Sequence, residues 1–257
     1  MAIILDARSL CKAFGAVVAA NEVSAAIEKD SVVGLIGTNG AGKTTFINIV
    51  TGYLKPDRGS IAYEGRDITH LPPRDVTRLG ICRSFQIPQL YGSLSVFDNM
   101  MVGIGIVLRN AGLAGYFSRG AALVPGYGEP AEAVAERILG RFGLLEYRSR
   151  NAQVLPGGAR KLLDIALAMV ARPRILLLDE PTSGVSAQEK FGIMQMVLEA
   201  VRAEGATVLF VEHDMEVVSR FAQRVLAFYD GRIIADAPPQ DALAHPEVRR
   251  YVVGTRA

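Results

Sequence analysis

Apolar residues recur along this chain in two rhythms. Short, nearly unbroken runs at Val32-Val33-Gly34-Leu35-Ile36, Arg174-Ile175-Leu176-Leu177-Leu178 and Thr207-Val208-Leu209-Phe210-Val211 predict strands buried on both faces, as in a parallel sheet. Helical spacing appears elsewhere. Val134, Ile138, Leu139 and Phe142 predict an amphipathic helix over 131–142, and Lys190 to Arg202 predicts the helix between the second and third strands. Turn chemistry marks the joints: Pro56-Asp57-Arg58-Gly59 before Ser60-Ile61-Ala62-Tyr63-Glu64-Gly65, and Asp230-Gly231 between Val225–Tyr229 and Ile233–Ala235. The second pair suits a tight β-hairpin, because both central residues tolerate positive φ. Glycines between 103 and 128 predict linkers. The picture is an α/β chain, β-rich over 3–85, helical over 88–165, with the α/β alternation resuming afterwards.

The first strand runs into Gly37-Thr38-Asn39-Gly40-Ala41-Gly42-Lys43-Thr44, followed by the helix-like Phe46-Ile47-Asn48-Ile49-Val50. Strand, glycine loop and helix together form a phosphate cradle: the glycines let backbone N–H groups curl around phosphates, and the helix adds unpaired donors and its positive dipole end. Lys43 is placed for the β and γ phosphates, Thr44 for Mg²⁺, and Thr45 with the Gly42 amide for neighbouring phosphate oxygens. A nucleoside triphosphate is the expected ligand.

Composition narrows the rest. The 257 residues are half apolar, yet no run approaches the ~18 that a membrane span needs. The beginning of the chain carries no export pattern, so a cytoplasmic setting is expected. Cys11 and Cys82 lie far apart without metal-ligand spacing, which argues against a disulfide framework or zinc. The net charge of +2 is spread along the chain rather than gathered in a stripe, which argues against a nucleic-acid partner.

A second set of chemical residues follows. Asp179-Glu180 ends the aliphatic run, at the strand terminus where ligands of parallel sheets bind. Asp179 suits Mg²⁺, and Glu180 suits polarising an attacking water in line with the γ-phosphate. His213, after the third apolar strand, can bond the γ-phosphate or orient that water. Gln86, at the junction into the helical segment, can touch Mg²⁺ or the water.

The order of these motifs, with Leu155-Pro156-Gly157-Gly158-Ala159 between Gln86 and Asp179, resembles the ATP-binding subunit of an ABC transporter over essentially the whole chain. Gly80-Ile81-Cys82-Arg83-Ser84-Phe85-Gln86, Asp98-Asn99-Met100-Met101-Val102-Gly103, Val211-Glu212-His213-Asp214-Met215 and Pro246-Glu247-Val248-Arg249-Arg250-Tyr251-Val252-Val253-Gly254 are similar to the branched-chain amino acid importer type. The resemblance implies a RecA-like P-loop NTPase core with an antiparallel β subdomain and an inserted helical subdomain. In one ABC ATPase domain over 1–257, the core spans 1–87 and 166–257 and the helical subdomain 88–165. It also implies that Phe14 stacks on adenine with Val18 nearby, and that two subunits pair head to tail, each phosphate loop facing the other's signature segment. ATP and Mg²⁺ are the implied ligands. Permease subunits are the implied partners, and indirectly an extracytoplasmic solute-binding protein, with the chain peripheral on the cytoplasmic face of the membrane. Tyr91, with Ile87, Pro88 and Leu90, offers an apolar surface for a permease helix.

The signature departs from the family's Leu-Ser-Gly-Gly-Gln. Pro156 lacks a hydroxyl and Ala159 an amide, so two polar contacts in trans are expected to be missing. Gly157, Gly158 and the helix starting near Ala159 still offer donors and a dipole. The expected arrangement is a heterodimer in which a different ATPase subunit completes the site on this chain. The alternative is a nucleotide-binding regulatory module with little hydrolysis. An ABC-type ATPase acting on DNA or ribosomes fits less well without a coiled-coil insertion or second cassette, and a GTPase lacks the Asn-Lys-x-Asp element.

Overall fold

The structure, a computed structural model, describes residues 2–84, 89–112 and 123–254. Within these, the strands form two sheets. The first is antiparallel, in the order β2-β1-β4-β5, from β1 (Ile3–Phe14), β2 (Val17–Glu28), β4 (Arg58–Tyr63) and β5 (Arg66–Asp67). The second runs β10-β9-β3-β8-β7-β6 and is built from β3 (Val32–Gly37), β6 (Ile81–Arg83), β7 (Ile175–Asp179), β8 (Thr207–Val211), β9 (Arg224–Tyr229) and β10 (Arg232–Ala237). It is parallel except at the β10 edge.

Period-2 geometry explains why the aliphatic runs lack alternation. Val33, Leu35, Leu177, Leu209 and Leu226 enter one buried cluster; Val32, Ile36, Leu176, Leu178, Val208 and Phe210 enter another on the opposite face. The first cluster also takes in the antiparallel sheet and Phe46, Ile47, Ile49 and Val50 of α1 (Lys43–Val50), so α1 is enclosed by apolar groups of both sheets. The second takes in α3 (Val96–Asn110), α4 (Ala131–Arg141), α5 (Gly157–Met169) and α6 (Lys190–Ala203). Shorter helices are α2 (Pro73–Arg78) and α7 (Met215–Phe221). Among the described residues no helix is long and apolar enough to cross a membrane.

Three sequence expectations change. The linker expected from 103 is helical through Asn110. Gly103 sits at the α3–α5 contact: a Cβ on it would stand 2.9 Å from Leu167 Cδ2, the movable tip of a half-buried side chain, so the glycine eases the close approach of the two helices. The turn expected at 56–59 is already strand at Arg58, with Gly59 at φ +94° where a Cβ would strike the backbone of Ser9. The signature helix begins at Gly157 rather than Ala159.

Candidate functional site

The phosphate loop joins β3 to α1, and its glycines are required for steric reasons. At Gly37 (φ +150°) a Cβ would stand 2.4 Å from the Phe228 carbonyl oxygen; at Gly42 (φ +107°) it would stand 2.7 Å from that of Ala19. Gly42 is also the N-cap of α1, with no side chain closing the helix end, so its first N–H groups face the loop. Neighbouring backbone supports the cradle. Gly231 N donates to Ala41 O at 3.1 Å, and Asn21 N donates to Gly231 O at 2.8 Å, so the Asp230-Gly231 turn braces the loop against β2. Both turn residues have positive φ, +48° and +71°, as the hairpin reading requires.

Lys43 is buried, its ammonium donating to the loop carbonyls of Gly37 (2.7 Å) and Thr38 (2.9 Å). Burial pulls its pKa below the ordinary lysine value, while the nearby Glu180 and Asp179 carboxylates act in the opposite direction. The placement follows from the sheet: Gly37, which accepts from the ammonium, ends β3, and Asp179 ends β7 at the same end of the sheet, one strand away across β8. Thr44 and Thr45 follow in the first turn of α1, and Thr38, Asn39 and Gly40 form the outer loop.

Asp179 ends β7, and Glu180 follows with φ +48°, a conformation that costs a non-glycine residue free energy. Its Oε1 lies 3.1 Å from His213 Nε2 and accepts when the proton is on that nitrogen. Glu212, 4% exposed, fastens the two chain segments: its Oε1 accepts from Thr182 N (3.0 Å) and Thr182 Oγ1 (2.7 Å). Asp214 caps α7 by accepting from Glu216 N at 2.9 Å, and pairs with Lys190 at 2.5 Å. A cleft of about 300 Å³ opens beside Glu180, Ser183, Lys190 and His213.

Two cations, the buried Lys161 and the largely covered Arg83, converge on Asp179 and were not legible as site residues. Arg83 Nη2 lies 2.5 Å from Asp179 Oδ2, and Lys161 Nζ donates to the Asp179 carbonyl at 2.9 Å. Burial lowers the Lys161 pKa, opposed by Asp164, Asp179, Glu180 and Glu212. Their only sequence signal was position, near the end of β6 and within α5.

Phe14 and Val18 lie half exposed on the β1–β2 hairpin, where Phe14 pairs with Val17 and Ala13 with Val18. The same hairpin brings Ala19 against Gly42. Gln86, with Ile87 and Pro88, lies outside the described residues. Leu90 packs against the core, whereas Tyr91 is 56% exposed. Tyr91 lines a groove of about 690 Å³ with Tyr53, Arg78, Ile106 and Asp164.

The signature segment divides. Pro156 is the exposed N-cap of α5 and supplies no side-chain cap, while Leu155 and Ala159 are buried in the helical cluster. Ala159 therefore faces the helical cluster, and Pro156 is the exposed one of the two departures. Gly157 lies against the Gly184 carbonyl, and a Cβ on Gly158 would stand 2.9 Å from Ile193 Cδ1.

The sequence matches the ABC transporter family over residues 20–183. It is 34% identical to a probable branched-chain amino acid transport ATP-binding protein, LivG, of Archaeoglobus fulgidus, covering 98% of this chain and 96% of that one. It is also 34% identical to the high-affinity branched-chain amino acid transport ATP-binding protein LivG of Salmonella typhimurium, covering 98% of each. Among solved structures, the ADP conformation of an ATP-binding cassette of an ABC transporter superposes with a TM-score of 0.83 at 31% identity, covering 99% of this chain and all of that one.

Proposed function

We propose, from the premise that this chain belongs to the ABC transporter family and is one of its ATPase subunits, that it hydrolyses ATP to drive uptake of branched-chain or other small amino acids through a membrane permease. The observation that carries the reading is that Lys43, bonded to Gly37 at the end of β3, and Asp179, Glu180 and His213, at the ends of β7 and β8, all stand at the carboxyl ends of neighbouring parallel strands.

In this reading the loop amides and the start of α1 hold the phosphates. Lys43 leaves its two loop carbonyls for the β and γ phosphates, and Phe14 stacks on adenine with Val18 beside it. The oxygen donors Thr44 and Asp179 suit a hard cation that takes few protein ligands and completes its shell with phosphate and water; magnesium would neutralise charge on the phosphoryl oxygens there. Glu180 accepts a proton from the attacking water, and His213 fixes its carboxylate through the 3.1 Å contact. Gln86 takes the remaining role at the junction with the helical segment, contacting the metal or water.

The groove beside Tyr53, Tyr91 and Ile106 has the apolar lining and size to take a short permease helix, with the chain peripheral on the cytoplasmic face. A solute-binding protein outside the membrane would deliver the substrate. Pro156 at the head of α5 leaves this chain without a signature hydroxyl, so its partner in a head-to-tail pair is a different ATPase subunit. The cis residues needed for hydrolysis are all present, and no observation favours a purely regulatory module. The test is ATP turnover and amino acid uptake with the co-purifying permease and second ATPase, in the parent and in Lys43→Ala. Uptake that survives Lys43→Ala unchanged would sink the reading.

A further inference from the structure

Arg83 spans the two elements that bracket the proposed metal position. Its Nη1 donates to Asn48 Oδ1 at 2.6 Å, and its Nη2 lies 2.5 Å from Asp179 Oδ2. Asn48 stands one helical turn beyond Thr44 on α1, on the same face, so the guanidinium links the helix that carries Thr44 to the strand that ends in Asp179. The side chains of Arg83 and Asp179 are only 10% and 9% exposed, where water screens their charges weakly.

We propose that Arg83 is a positioning residue that sets the divalent-cation requirement of this site: it holds the Asp179 carboxylate as a built-in counter-ion, and magnesium competes with it for that carboxylate. The inference rests on the reading of Asp179 as a holder of the metal. The physical case is a balance of buried charge. A carboxylate at this depth needs a cation beside it, and an arginine cannot relinquish its charge by deprotonation. Arg83 therefore neutralises Asp179 before nucleotide arrives, and a second cation drawn to the same carboxylate meets a fixed positive charge. Asn48, which already accepts from Nη1 at 2.6 Å, keeps the guanidinium anchored on α1 when the metal engages Asp179 and frees Nη2.

The experiment titrates Mg²⁺ into the purified full-length chain at saturating ADP and follows thermal stabilisation, a readout independent of turnover. Arg83→Gln removes the charge while keeping an amide donor, and its half-saturating Mg²⁺ falls about three- to tenfold, whereas Arg83→Lys stays within about twofold of the parent. A residue that only packed would lower the melting temperature without moving that midpoint. An unchanged or raised midpoint in Arg83→Gln overturns the proposal. Asp179→Asn separates the two claims: if it raises the Mg²⁺ midpoint while Arg83→Gln does not lower it, the inference falls alone; if it leaves the midpoint in place, the metal reading falls as well. Should Arg83→Gln not fold, side-chain spectra of ¹⁵N-arginine in the parent decide. The guanidinium resonance missing from Arg83→Lys loses exchange protection when Mg²⁺ is added to the ADP complex, and retained protection overturns the proposal.

Discussion

The carbonyl oxygen of Ala19 occupies the space that a side chain on Gly42 would need, 2.7 Å from where its Cβ would stand. This contact sets the phosphate loop directly against the β1–β2 hairpin that carries Phe14 and Val18, so the proposed adenine and phosphate sites share one backbone junction. Gly42→Ala adds that clash to a φ of +107°. The expected cost is about 1–3 kcal/mol of stability, with nucleotide affinity reduced at least about tenfold, measured by thermal unfolding and ADP titration. Unaltered affinity would remove the junction from the binding site.

Glu180→Gln preserves the shape of the side chain and removes its capacity to take a proton. Steady-state turnover of the assembled transporter should fall on the order of 10²- to 10⁴-fold while ADP affinity changes little. His213→Ala, which removes the group 3.1 Å from Glu180, should lower kcat with KM nearly constant. A rise confined to KM, with kcat unchanged, would instead assign both residues to ground-state binding.

Repair of the signature should be asymmetric. Pro156→Ser restores a hydroxyl at the exposed N-cap of α5; it should add about 1 kcal/mol of helix-capping stability and promote ATP-dependent self-association of the isolated chain. Ala159→Gln places an amide in the buried helical cluster and should destabilise without promoting pairing. Analytical ultracentrifugation with ATP and the Glu180→Gln background distinguishes these outcomes, and equal self-association of parent and Pro156→Ser would contradict the proposed heterodimer.

Lys43 makes nucleotide binding weaken at alkaline pH. Burial lowers its pKa in the nucleotide-free chain, and bound phosphates favour the ammonium, so binding takes up a proton in the window between the free and bound values. Affinity for ADP should therefore decline as pH rises through that window. Calorimetry in two buffers of different ionisation heat measures the uptake directly, and proton uptake should vanish in Lys43→Met.

Gly103→Val should destabilise the chain by about 1 kcal/mol, the low end for overpacking, because the added carbon meets the movable tip of Leu167 at 2.9 Å across the α3–α5 contact. Thermal unfolding with and without ADP checks this. A stability equal to that of the parent would mean the helices part freely at this point.

The residues read directly from sequence are those whose role depends on neighbours in the chain. Glycine spacing between a strand and a helix defines the phosphate loop, unbroken aliphatic runs define strands covered on both faces, and Asp230-Gly231 defines a hairpin, because each is governed by local φ/ψ or by side-chain period. The α/β character followed from those elements taken in order, while the RecA-like core with its two subdomains came from the resemblance carried by the order of the motifs. Gly103 was misread because a glycine that breaks a helix and one that lets two helices touch look alike until the second helix is in place. The same is true of Arg83, Lys161 and Glu212, ordinary charged residues in the sequence that become struts only where β6, α5 and β8 come together around Asp179 and Thr182. The Asp230-Gly231 turn was legible as a turn, but its service as a brace between Ala41 and Asn21 was not. Local geometry is written in adjacent residues; the partner of a buried charge, or the atom that forbids a side chain, is set by segments brought together from distant parts of the chain.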